Sequence, residues 1–247
     1  IADMKGAASV AHIYGQNLTA AESLTSAFAP WAFAPADLQT MIDMEFVSGI
    51  NRPVIHTSVH QPLGDDKKPG LSLAIFGQYF NRNETWAGMA RPWVDYIARS
   101  AYLLQQGRNV ADIGYIYGEE APLVTLYHTH VPADAPIHYA YDFVSADALT
   151  DQLSVDNGEV VSKGGARYKA LYLGGTSAHM TLPTLKKLAD LAQQGATLIG
   201  KAPISDPSLA DDPSVFSNLV AKLWGGGEVT QVGAGRVIAS DKLEDAL

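Results

Sequence analysis

Glu22 stands at the end of a short, mostly apolar run, Asn17-Leu18-Thr19-Ala20-Ala21-Glu22-Ser23. Such a run reads as a buried parallel strand. A carboxylate at the exit of such a strand falls on the rim where α/β barrels keep their chemistry. There it can take a proton from water; it can equally cap the next turn. The rest of the first half adds Trp31, His56, His60, Gln61, Asn81, Arg82, Glu84 and Trp86. A sugar site needs this set: a carboxylate to activate water, polar side chains for hydroxyls, and a flat ring for the apolar sugar face. Each member also has a plainer role. Trp31 and Trp86 suit core or loop anchors. His56, inside a strand, suits a satisfied buried imidazole, while His60 lies further out and is the better contact. The His56-x-x-x-His60 spacing binds metal when it lies on a helix. Here it falls between Pro53 and Pro62 in strand-like sequence, which argues against zinc. Glu119-Glu120 reads as a solvated pair.

The elements that must position these residues alternate. Met4 to Tyr14 reads as a helix stopped by Gly15, followed by the strand into Glu22 and a loop over Ser26–Ala34. Pro35 suits a first helical turn; Leu38, Met41, Ile42 and Glu45-Phe46 continue at helical spacing to Ser48-Gly49. Pro53–Ser58 is a second strand, and Gln61–Tyr79 a long Gly/Pro-containing loop of the kind that carries function. Asn83 can cap the next helix, whose apolar face runs from Trp86 to Leu104, with Pro92 imposing a kink or a late start. After Gly107 the rhythm shortens. Strands are expected at Asp112–Tyr117, Ile137–Tyr141, Tyr168–Leu173, Ala196–Ile199 and Gly235–Ala239. Helices are expected at Ser145–Leu153, after Thr181, and at Val215–Leu223. This alternation implies a doubly wound parallel sheet, with a boundary near Gly107.

Composition bounds the rest. The 247 residues are 47% hydrophobic and 17% charged, an ordinary globular mixture. The net charge of -9, without a Lys/Arg cluster, argues against nucleic acid or an anionic membrane as partner. No run reaches membrane-helix length. Cysteine is absent, which excludes disulfides, thiol catalysis and cysteine-ligated zinc. Gly174-Gly175 follows a strand, but neither a dinucleotide fingerprint nor a P-loop occurs there, and no G-x-S-x-G elbow is present. The opening Ile-Ala-Asp-Met-Lys runs straight into a helical pattern, so the chain is expected to be an internal piece of a longer polypeptide.

Several blocks carry a resemblance. Ala11-His12-Ile13-Tyr14-Gly15 and Ala20-Ala21-Glu22-Ser23-Leu24-Thr25 resemble the family-106 glycoside hydrolases, the α-L-rhamnosidases. So do Gly49-Ile50-Asn51-Arg52, His56-Thr57, His60-Gln61-Pro62, Gly77-Gln78-Tyr79-Phe80, and Arg82-Asn83-Glu84-Thr85-Trp86. The match continues through Tyr96–Ser100 and Leu103–Gly107, covering most of residues 5 to 118. The resemblance implies that residues 1–107 are the C-terminal part of a (β/α)8 barrel. Residues 108–247 are then a flavodoxin-like or amidotransferase-like, non-catalytic α/β domain. It also implies an inverting hydrolase that removes terminal α-L-rhamnose, with Glu22 as general base and a calcium ion near the sugar. His56, His60, Gln61, Arg82, Trp31 and Trp86 are the candidate sugar contacts. The general acid and calcium ligands are expected on earlier strands of the same polypeptide, and the location outside the cytoplasm. Leu24 departs from the family pattern, where an aromatic residue is expected. Two other readings stand beside this one: a retaining, β-galactosidase-like glycosidase with Glu22 as nucleophile, and a non-catalytic sugar-binding or structural piece.

Overall fold

The computed structural model describes residues 2–119 and 133–247. The chain runs α1 (Ala2–Tyr14), β1 (Ala20–Ser23), α2 (Pro35–Val47), β2 (Arg52–Ile55) and α3 (Arg91–Leu104). It continues β3 (Ile113–Ile116), β4 (Tyr141–Val144), α4 (Ala146–Gln152), β5 (Leu153–Asp156), β6 (Glu159–Ser162), β7 (Arg167–Tyr168) and β8 (Ala170–Leu173). It ends α5 (Leu182–Gln194), β9 (Thr197–Ile199), α6 (Pro213–Trp224), β10 (Val229–Val232) and β11 (Gly235–Ile238). The fold is mixed α/β with parallel strands. Among the described residues, no helix is long and apolar enough to cross a membrane.

Two compact units form: Asn17–Gly107, and Ile1–Gln16 together with Arg108–Leu247. The sequence reading began the first unit at residue 1. Instead α1 packs on β4, because that strand's outer edge needs hydrogen-bond partners.

In the unit 17–107, β1 and β2 pair in parallel, with Glu22 opposite Val54 and Ser23 opposite Ile55. Asn51 ties the strand starts together: its Oδ1 accepts from Thr19 N at 2.8 Å, and its Nδ2 donates to Asn17 O at 2.8 Å. Pro35 opens α2, and Asp37 reaches back to accept from Ala34 N at 2.9 Å. The late start at Pro92 holds: α3 begins at Arg91, after a 3-10 turn at Ala87–Met89. Trp93 and Ile97, one helical turn apart, join Leu38 and Ile42 of α2 in a small core.

In the other unit the strand order is β10-β11-β9-β8-β3-β4, parallel except for β10. β3, β4 and β8 are buried along their whole length, as strands covered on both faces must be. One face carries the aliphatic core, where Leu149, Leu185, Leu188 and Leu223 bring α4, α5 and α6 onto the sheet. The other face gathers Tyr115, Tyr141 and Phe143 in edge-to-face contacts, with Tyr172 tilted against Tyr115. At the β4 edge, Ser9 Oγ accepts from Phe143 N at 2.9 Å, satisfying a donor that has no strand partner. His12 and Tyr168 converge on Asp142, which is 1% exposed, at 2.7 and 3.0 Å. Gly15 ends α1 with φ +75, as its position suggested, and a Cβ on the facing Gly164 would sit 2.2 Å from Gly15 N. The strand expected at Ile137–Tyr141 lies instead at Tyr141–Val144. An antiparallel meander, β5-β6-β7, occupies a stretch with no expected strand.

Candidate functional site at the exit of the first strand

Strand alternation fixes the direction of Glu22. Ser23 is buried, and its Oγ lies 2.7 Å from Glu45 Oε2 on α2, so Ser23 faces the helices. Glu22, one residue earlier, points to the opposite face and is exposed. Beyond Ser23 the chain turns through Leu24, with φ +64, and Thr25 Oγ1 donates to Glu22 Oε1 at 2.7 Å. The carboxylate is therefore oriented by one hydroxyl and open to water, the state a proton acceptor or a nucleophile requires.

The other candidates divide. His60 is exposed, and Trp31 is 40% exposed with its ring edge-to-face on Tyr79 at 4.9 Å. His56 is half-buried; its backbone N donates to Ser23 O at 2.9 Å, and its Nδ1 is buried without a hydrogen-bond partner. The satisfied imidazole anticipated for it is therefore not found. Gln61 clamps the long loop, with its amide donating to Leu71 O at 2.6 Å and accepting from Leu71 N at 3.0 Å. Arg82 braces the same loop through Asp65 Oδ1, Leu63 O and Gln61 O at 2.8, 2.6 and 3.3 Å. These two side chains spend their polar atoms on loop shape. The loops after both strands are also stitched together: Phe28 N donates to Ile75 O, Gly77 N to Ser26 O and Tyr79 N to Pro30 O.

Arg82 and Trp86 both line a cavity of about 500 Å³ shared with Ile55, Ser58, Glu84 and Trp93. Trp86 Nε1 donates to Phe33 O at 3.2 Å, which presents its ring to the cavity wall. Glu84, 6% exposed, is held by Gln78 Nε2 at 3.0 Å and Thr85 N at 2.9 Å. Ile55 is the register partner of Ser23. The cavity therefore lies on the helix-packed side of the strand pair, away from the face that carries Glu22. Glu22, Trp31, His56, His60 and Gln61 do not line it. Glu45 escaped the reading of site residues. Its signal was a carboxylate on the apolar stripe of α2, where Leu38 and Ile42 also point.

Two acidic side chains are engaged near the carboxyl ends of β3 and β8. Asp134 accepts from Tyr115 OH at 2.8 Å and from Gly175 N at 2.8 Å. Glu119 is not a solvated acid: it accepts from Thr181 N and Thr181 Oγ1, each at 2.8 Å, at the start of α5. Its neighbour Glu120 lies outside the described residues. Among the described residues, no three His, Asp or Glu side chains converge as a metal site.

The chain is similar to known proteins. A family model for glycoside hydrolase family 106, described as alpha-L-rhamnosidase, matches residues 1–247. A protein of Formosa agariphila named "Putative beta-glucuronidase" is 38% identical over 231 residues, which are 92% of this chain and 19% of that protein. The solved structure of a rhamnosidase from Novosphingobium sp. PP1Y matches all of this chain at 64% identity and a TM-score of 0.94, over 24% of its own length. The chain thus spans about a quarter of one relative and a fifth of the other.

Proposed function

The chain belongs to glycoside hydrolase family 106, the α-L-rhamnosidases, and from that premise we propose that it supplies the general base of an inverting glycosidase. Glu22 takes a proton from water as that water attacks the anomeric carbon of a terminal α-L-rhamnose. The observation that carries this reading is the exposed Glu22 carboxylate at a parallel strand's exit, turned away from the helices. Two parallel strands, each followed by a helix on one shared face, suit consecutive units of a (β/α)8 barrel, in which Glu22 points inward. Inversion needs a second carboxyl about 6.5–9.5 Å away to protonate the leaving oxygen. That acid belongs to the larger part of the polypeptide, in keeping with the greater length of both relatives. His60 and Trp31 are the exposed groups for sugar hydroxyls and a sugar face. Gln61 and Arg82 act by holding the loop.

The unit built on β3 to β11 is a flavodoxin-like domain without catalysis of its own. Its parallel strands follow the order 2-1-3-4-5 in chain sequence, and near its switch point Asp134 accepts from Gly175 N and Glu119 from Thr181 N. A calcium ion near the sugar finds no ligand cluster among the described residues. No step here passes through it.

The test is Glu22→Gln in the polypeptide that carries this chain, assayed on aryl α-L-rhamnoside and aryl β-glucuronide. Loss of the base lowers kcat on the rhamnoside by about 10²–10⁴. NMR of the first product shows the inverted anomer. Undiminished turnover, a retained anomer, or hydrolysis of the glucuronide alone overturns the reading. The chain by itself releases no rhamnose, because both proton transfers are needed.

A further inference from the structure

Ser23, the neighbour of Glu22, is held on every side. It is 1% exposed, with its Oγ 2.7 Å from Glu45 Oε2 and 3.0 Å from Ala21 O. Its carbonyl accepts from His56 N at 2.9 Å. A hydroxyl has one proton to give, and here it faces two acceptors. The shorter contact takes it: Ser23 Oγ donates to Glu45 Oε2 across the strand–helix interface. Burial pushes the Glu45 carboxyl above its usual range, with the Ser23 hydrogen bond pulling the other way.

Glu45 is 6% exposed on the stripe of α2 that also presents Leu38 and Ile42. An aliphatic side chain would fill that place without the cost of burying a carboxyl. The polar choice has a use in the bond it makes. That bond pins the roll of β1 immediately before Leu24, which has a φ of +64 and packs against the core of Leu38, Ile42, Trp93 and Ile97. The left-handed turn brings Thr25 back onto Glu22.

We propose that Ser23 and Glu45 are positioning residues for Glu22: their buried bond sets the rotation of the strand exit that aims the Glu22 carboxylate. The proposal rests on the reading of Glu22 as the base. Misplacing a reacting group by about 1 Å costs about 10²-fold in rate.

The experiment measures kcat and KM on aryl α-L-rhamnoside in the full-length polypeptide. Ser23→Ala and Glu45→Leu lower kcat about 10–100-fold and leave KM within about threefold. Glu45→Gln keeps a donor and an acceptor for Ser23 and recovers most of the rate. In a Glu22→Gln background Ser23→Ala costs nothing further, since a positioning residue has nothing left to position. An unchanged kcat in Ser23→Ala, or an equal loss with and without Glu22, overturns the proposal. Full activity in Glu22→Gln overturns instead the assignment of the base. Ser23→Ala removes a single oxygen, so it decides the matter if Glu45→Leu does not fold.

Discussion

Removing the His12 imidazole should loosen α1 from the sheet. Asp142 is 1% exposed, and a buried carboxylate must have its oxygens satisfied. Its Oδ1 takes the proton of His12 Nδ1 at 2.7 Å and its Oδ2 that of Tyr168 OH at 3.0 Å. Stranding a fully buried charge by removing its partner costs about 3–5 kcal/mol. His12 is 16% exposed, so water can follow the vacated ring to Oδ1. The expected cost of His12→Ala is therefore lower, about 2 kcal/mol, near the range for a hydrogen bond to a charged group. Urea unfolding followed by far-UV circular dichroism reads this as a midpoint lower by about 1 M, for a slope near 2 kcal/mol per M. Asp142→Asn in the same background should remove about half the effect, because the stranded charge is gone. Exchange of the Phe143 amide, which Ser9 on the same helix accepts, should accelerate in step. A midpoint unchanged within about 0.2 M, with Phe143 exchange also unchanged, refutes the argument that this network pins the helix.

Glu45 sets a pH dependence. Its carboxyl is raised above the usual 4.5 by burial, so its stabilising contribution is full below that value and lost as pH climbs through the folded-state value. Glu45→Gln should therefore gain thermal stability over the parent at pH 7 but not at pH 4; an equal difference at both refutes it. Glu119→Ala removes the acceptor for Thr181 N and Oγ1, and should cost about 1–2 kcal/mol in unfolding experiments, with faster exchange in the first turn of α5. Ultraviolet titration should find Tyr172 ionising near 12, because burial opposes its charged form. Tyr115 and Tyr168 are pushed up further, by burial first and then by Asp134 and Asp142 respectively. Stability is thus lost above the usual tyrosine range; phenolate absorbance from every tyrosine near 10 without unfolding refutes this.

Features that depend on neighbours along the chain could be read from residue order. The strand into Glu22, the stop at Gly15, the opening of α2 at Pro35 and the late start of α3 at Pro92 follow from a short, mostly apolar run, positive φ and proline geometry. The alternation of strand and helix, and the blocks around Glu22 and Trp86, were equally local. One local signal was passed over: Asn157-Gly158, with φ of +53 and +84, is the tight turn joining β5 to β6.

Other features follow from packing between distant segments. Helix α1 reads as an element of the unit that follows it in sequence, yet it packs on β4, because an unpaired strand edge 130 residues away needs donors and acceptors. Whether a polar residue is displayed or consumed is likewise settled by partners distant in sequence. Gln61 and Arg82 are tied into the loop, Glu119 is spent on Thr181, and Glu45 finds Ser23 across 22 residues. Residue type and spacing say what a side chain can do. Only the packed neighbours fix which face it points from and which of its atoms remain free.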